Sequence, residues 1–90
     1  MQKAAIPTPA APTVLKDDGS GEHQYAVVAV GVQGRRTAAS SATKARGRAT
    51  LRWDSVNGAD AYIVVRDGSE ITDPLRIEGS QKRWTDKAAQ

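Results

Sequence analysis

Cysteine is absent from the chain, so no disulfide staples the fold and nothing about redox compartment can be read from thiols. Histidine occurs once, and without cysteine that leaves too few ligands for a zinc site. Aromatic side chains are scarce as well, two Trp and two Tyr in 90 residues, so each is a candidate anchor of a small core. No long apolar run exists. The longest, Tyr25 to Val32, is about eight residues where a membrane helix needs roughly 20, and the start of the chain lacks the apolar block of a signal peptide. No membrane partner is expected. Charge of one sign does not dominate either: thirteen basic and ten acidic side chains leave +3, too weak a field to expect nucleic acid as the partner.

What is present suits one small β domain. Ninety residues allow a single compact fold, and the apolar share of 39% is an ordinary globular balance outside the disordered range. Val, Thr and Ile favour strands, while scattered Gly, Asp, Asn and Pro favour the turns between them. Residues 1–11 read as a Pro/Ala-rich linker, because Pro7 and Pro9 remove backbone donors and hold the chain extended; the fold is expected over 12–88. The abrupt beginning and end suit a domain cut from a longer polypeptide.

Strand signals recur through the rest. Pro12 to Lys16 forms a short first candidate, followed by a turn at Asp17-Asp-Gly-Ser-Gly21. From Glu22 to Val32, Tyr25, Val27 and Ala29 alternate with Ala26, Val28 and Val30; both faces are apolar, which predicts a central strand. Gly31 to Gly34 breaks it. Arg35 to Lys44, rich in Ser, Thr and Ala, suits a half-exposed strand, with a helix as the weaker alternative. Ala49, Leu51 and Trp53 alternate with Arg48, Thr50 and Arg52, the period of two of a strand with one wet face. Asn57-Gly58 and Asp67-Gly68 are turn signals on either side of Ala61 to Arg66. Leu75 to Ile77 and Lys82 to Thr85 complete about seven short strands, a spacing that predicts an antiparallel sandwich.

Two of these segments carry a resemblance. Ala49-Thr-Leu-Arg-Trp-Asp-Ser-Val-Asn-Gly-Ala-Asp-Ala-Tyr-Ile-Val-Val-Arg66 resembles strands B and C of a fibronectin type III domain through its Leu-x-Trp, Gly-Ala and Tyr-x-Val-x-Arg elements. Tyr25 to Gly34, with Thr37 to Ser40 after it, is similar to the family's strand F, its turn and the start of strand G. Trp84-Thr85-Asp86 resembles the opening of strand E. The resemblance spans residues 12 to 88 and implies an immunoglobulin-like sandwich whose F and G segments precede B, C and E. Either the domain is circularly permuted or the chain straddles two tandem domains; termini that lie close together in sandwiches favour permutation. The same order resembles modules of phage virion proteins and of pectate-lyase-like carbohydrate-active proteins. It implies an extracellular or virion-associated spacer or docking module whose partners are neighbouring domains, monomeric by itself. Tyr25 stands where the family forms a tyrosine corner, its hydroxyl bonded to nearby backbone, though His23-Gln24 replaces the usual second aromatic.

Candidate chemistry is sparse. His23 beside Ser20 and Glu22 is the only triad-like material, and neighbours in an extended segment point in alternate directions, so no enzyme is expected. Asp17 to Glu22 lacks the spaced carboxylates and closing Glu of a calcium loop, so no metal and no cofactor are expected. Arg46, Arg48 and Arg52 share one parity with Lys44 and are expected to project from one sheet face, with Arg35 and Arg36 near a loop. Such a stripe suits an anionic polysaccharide, and it equally suits a solvated, edge-blunting surface. Tyr25, Trp53, Tyr62 and Trp84 read as core anchors, with Trp53 and Trp84 the two that an exposed position would make sugar platforms.

Overall fold

The computed structural model describes residues 6–17, 21–31, 34–46, 48–77 and 81–86. Seven strands follow one another within them: β1 (Thr13–Lys16), β2 (Glu22–Val30), β3 (Thr43–Arg46), β4 (Thr50–Asp54), β5 (Ala61–Arg66), β6 (Ser69–Glu70) and β7 (Gln81–Thr85). Every pairing is antiparallel, and the strands divide into a sheet ordered β1-β4-β7 and a sheet ordered β3-β2-β5-β6. The fold is the all-β, seven-stranded sandwich that the alternation predicts.

The central pair β2 and β5 sets the core. Tyr25, Val27 and Ala29 face inward with Tyr62 and Val64, and meet Ala49, Leu51 and Trp53 from the other sheet. Two pleated faces that interdigitate in this way make a sandwich core. Trp53 meets Tyr62 edge to face, ring centres 5.8 Å apart, and the Tyr62 hydroxyl accepts from the Val56 N–H at 2.6 Å. On the opposite face of the same pair, Ala26, Val28 and Val30 cluster with Ala61, Ile63 and Val65. Both faces of β2 are therefore buried, as its doubly apolar sequence predicts. Arg36 is bridged to Val30 and Glu70 stands opposite Val65, so both project over this second cluster, where the Arg36 Nη1 donates to both Glu70 oxygens at 3.1 and 2.9 Å. Long arginine stems cover apolar surface in such a position while the charged head stays wet.

The turns follow their residues. Asp67 and Gly68 both have positive φ, 52° and 83°, with Arg66 opposite Ser69, which is the two-residue hairpin of type I′. Asn57-Gly58 closes through a bond from the Ala59 N–H to the Val56 carbonyl, with Gly58 supplying φ of 85°. Residues 6–11 hold no strand, yet Ile6 packs against the core and Pro9 is buried. A Cβ on Gly31 would collide with the Ile6 Cδ1, so the missing side chain makes room for that contact.

Two stretches depart from the strand expectation, for one reason. Thr37, Ser40 and Thr43 recur every three residues, while the β2 positions they serve, Ala29, Val27 and Tyr25, recur every two. The extra residue in each step breaks a regular ladder, as a bulge does. Thr37 and Ser40 donate their N–H to the Ala29 and Val27 carbonyls, and their hydroxyls accept the Ala29 and Val27 N–H at 3.2 and 3.0 Å. Side-chain oxygens thus replace missing carbonyls, and regular strand is confined to Thr43–Arg46. Across the sheet, the Thr72 hydroxyl takes the Val64 N–H, and Leu75 forms a single bridge to Tyr62 rather than the start of a strand.

Ser40→Ala should therefore cost about 1–3 kcal/mol, since it leaves the buried Val27 N–H without its hydroxyl acceptor. Ser41→Ala at the exposed neighbour should stay within about 0.5 kcal/mol. Urea unfolding of both variants checks the pair, and equal, small losses would refute the substitution of hydroxyl for carbonyl.

Candidate functional site

The most buried charged side chain is Asp86, 1% exposed, directly after β7. Its Oδ2 accepts from the Tyr25 hydroxyl at 2.7 Å and from the Arg66 Nη1 at 2.6 Å, while its N–H bonds to the Ala49 carbonyl. One carboxylate so joins β2 and β5 of one sheet to the end of β7 in the other. Burial pushes the Tyr25 phenol well above its ordinary value, helped by the bond to Asp86 and its charge. The bond to Asp86 likewise raises the Arg66 guanidinium, keeping it charged. The resemblance implied a bond from the Tyr25 hydroxyl to nearby backbone; its proton goes to Asp86 because a buried carboxylate requires donors.

Beside this network a groove of about 910 Å³ opens along β7, lined by Thr50, Arg66, Ile71, Arg83, Trp84, Thr85 and Asp86. Trp84 is half-buried, packed against the core on one side and facing the groove on the other. The Thr50 and Thr85 hydroxyls lie 2.9 Å apart at its rim. Among the described residues the groove holds one carboxylate, and both Tyr25 and Arg66 engage it. Trp53 is 3% exposed, its indole N–H buried with no hydrogen-bond partner among the described residues, while Tyr25 and Tyr62 are buried at 0% and 2%.

The arginine stripe is not assembled on one face. Lys44 and Arg46 belong to β3 in the four-stranded sheet, Arg52 belongs to β4 in the three-stranded sheet, and Arg48 lies between them. Parity carries a face only within one strand, and the chain changes sheets between Arg46 and Thr50. Arg46 anchors its N–H on the Asp17 carboxylate, whereas Arg52 stands directly opposite Arg83 of β7.

His23 turns away from Glu22. Its Nδ1 donates to the Asp67 Oδ2 at 2.6 Å, and Asp67 Oδ1 accepts the Gln24 N–H at 2.9 Å. These two donors, the backbone one foremost, hold the Asp67 carboxyl below its ordinary value. Ser20 and Asp18 lie outside the described residues. Among the described residues no three His, Asp or Glu side chains gather to hold a metal.

Asp86, Arg66 and Arg83 carry no functional signal in the sequence alone. Asp86 closes the aromatic-Thr-Asp element and Arg66 closes Tyr-x-Val-x-Arg, so both sat inside recognised patterns whose partners come from distant strands. Comparison with protein-family models, curated proteins and solved structures gives no match to this chain.

The raised phenol has a pH consequence. The folded chain holds the Tyr25 proton past the value of about 10 at which an unfolded tyrosine releases it. Its contribution is complete below about pH 10 and is lost as pH rises towards the folded value. Tyr25→Phe should cost about 1.5–3 kcal/mol at neutral pH and flatten the decline of stability above about pH 10. Denaturant unfolding as a function of pH checks this; an unchanged alkaline slope would contradict it.

Proposed function

We propose that the chain is a non-catalytic accessory module, a spacer or docking domain of the fibronectin type III kind within a larger extracellular or virion protein. The observation that carries this reading is how the interior polar groups are used: Tyr25, Asp86 and Arg66 bind one another and join the sheets. A general acid or base needs a free lone pair or proton within reach of substrate, and a carboxylate bonded to both a phenol and a guanidinium offers neither readily. The strand order supports the permuted form of the reading. With β2 and β3 standing for F and G, β4 and β5 for B and C, and β7 for E, each sheet holds strands that the family places together.

A second reading, recognition of an anionic polysaccharide through Arg46, Arg48 and Arg52, draws on basic side chains that make no ion pair among the described residues. The separation of Arg46 from Arg52 onto different sheets weakens it in that form.

The module reading predicts that the 9.5 kDa chain sediments as a folded monomer and releases no product from polyuronate, chitin or peptidoglycan. Sedimentation together with a reducing-end assay checks both parts. Turnover by the purified chain, or an obligate oligomer, would refute the reading.

A further inference from the structure

On the outer face of the three-stranded sheet, the register sets out two rows. Lys16, Thr50 and Thr85 stand side by side in one, and Thr13, Arg52 and Arg83 in the next. Leu51 and Trp53 are buried, so the alternation sends Thr50 and Arg52 outward, and Arg83 is exposed on the same face. Like charges directly opposite on a sheet repel. Neither Arg52 nor Arg83 makes an ion pair among the described residues; Asp54, two residues along β4 on the same face, stands opposite Gln81 and pairs with neither. A sandwich needing only solubility would meet that demand with mixed charges. Two opposed guanidinium groups that make no ion pair among the described residues instead offer N–H donors from both strands to a shared carboxylate. Next to these arginines lie the paired Thr50 and Thr85 hydroxyls, and around the edge of β7 opens the groove with the half-buried Trp84, which stands opposite the inward Leu51.

We propose that Arg52 and Arg83 form a carboxylate clamp for an acidic polysaccharide, with Thr50 and Thr85 meeting sugar hydroxyls and Trp84 offering the apolar wall of the adjoining groove. The combination of a carboxylate clamp with neutral hydroxyls and a ring favours a uronate chain over a nucleic acid, whose phosphates call for a broader basic surface than a net charge of +3 supplies. This shares its ligand class with the second reading above and shares only Arg52 with its residues.

The test is an amide-shift titration of the whole chain with trigalacturonate, galactotriose and a single-stranded trinucleotide. Saturable shifts with trigalacturonate at Arg52, Arg83, Thr85 and the Trp84 indole are expected, and they should weaken with added salt. Arg52→Gln with Arg83→Gln should reduce affinity about tenfold or more, and Arg46→Gln with Arg48→Gln less than about twofold. Equal losses from the two pairs would show diffuse attraction and overturn the clamp. So would an absence of saturable shifts or tighter binding of the trinucleotide. Loss confined to the Arg46 and Arg48 pair would overturn it in favour of the second reading. Arg83→Gln alone should melt no lower than the parent chain. A lower melting temperature would mean that the opposed arginines serve the fold, and would overturn the assignment as well.

Discussion

A single buried carboxylate holds the two sheets of this sandwich in relation to one another. Taking Asp86 out of water is costly unless its charge is paired and its lone pairs are filled. The Tyr25 hydroxyl and the Arg66 guanidinium do both, and they come from β2 and β5, the two strands with most of the core. The bond is specific as well as strong. Apolar contacts among Leu51, Trp53 and Val64 are non-directional, whereas a carboxylate that must meet a phenol and a guanidinium fixes where the end of β7 lies over the other sheet.

The backbone imposes a second constraint, met by hydroxyl groups. Every buried N–H of β2 and β5 needs an acceptor, and both outer margins of this pair run into irregular chain. Thr37 and Ser40 on one margin and Thr72 on the other supply side-chain oxygens where a regular neighbour would supply carbonyls. Edges finished in this way offer few free groups to an invading strand. The second apolar cluster lies on the other face of the β2 and β5 pair, and the Arg36 and Glu70 ion pair spans from its Val30 end to its Val65 end. The other sheet differs: its outer face carries threonines, Asp54 and cations that make no ion pair among the described residues, and that asymmetry is where recognition is proposed.

Much of the fold was legible from local pattern. The doubly apolar run at Tyr25 to Val30 declared a central strand, and the alternation about Leu51 and Trp53 declared a strand with one buried face. Asp67-Gly68 declared its hairpin through two residues that tolerate positive φ. The Ser/Thr stretch after Arg35 reads as regular strand in isolation because its period of three set against a partner's period of two is displayed by no single segment. Arg46, Arg48 and Arg52 group together by sequence parity alone for a related reason. Parity places a side chain relative to its own strand, and the step from β3 to β4 crosses between sheets. Asp86 gave no local sign of burial, since its partners stand 61 and 20 residues away. The Arg52 and Arg83 opposition depends equally on register, which becomes visible only once β4 and β7 are paired.

Asp86 couples Tyr25 and Arg66 as a shared acceptor, so the three side chains act as a unit and not as independent polar groups. A double-mutant cycle of Tyr25→Phe with Asp86→Ala, read by denaturant unfolding at neutral pH, measures that directly. Coupling of about 1.5–3 kcal/mol is expected, because the phenol donates to a charged and buried oxygen. Additive losses, with coupling below about 0.5 kcal/mol, would contradict it.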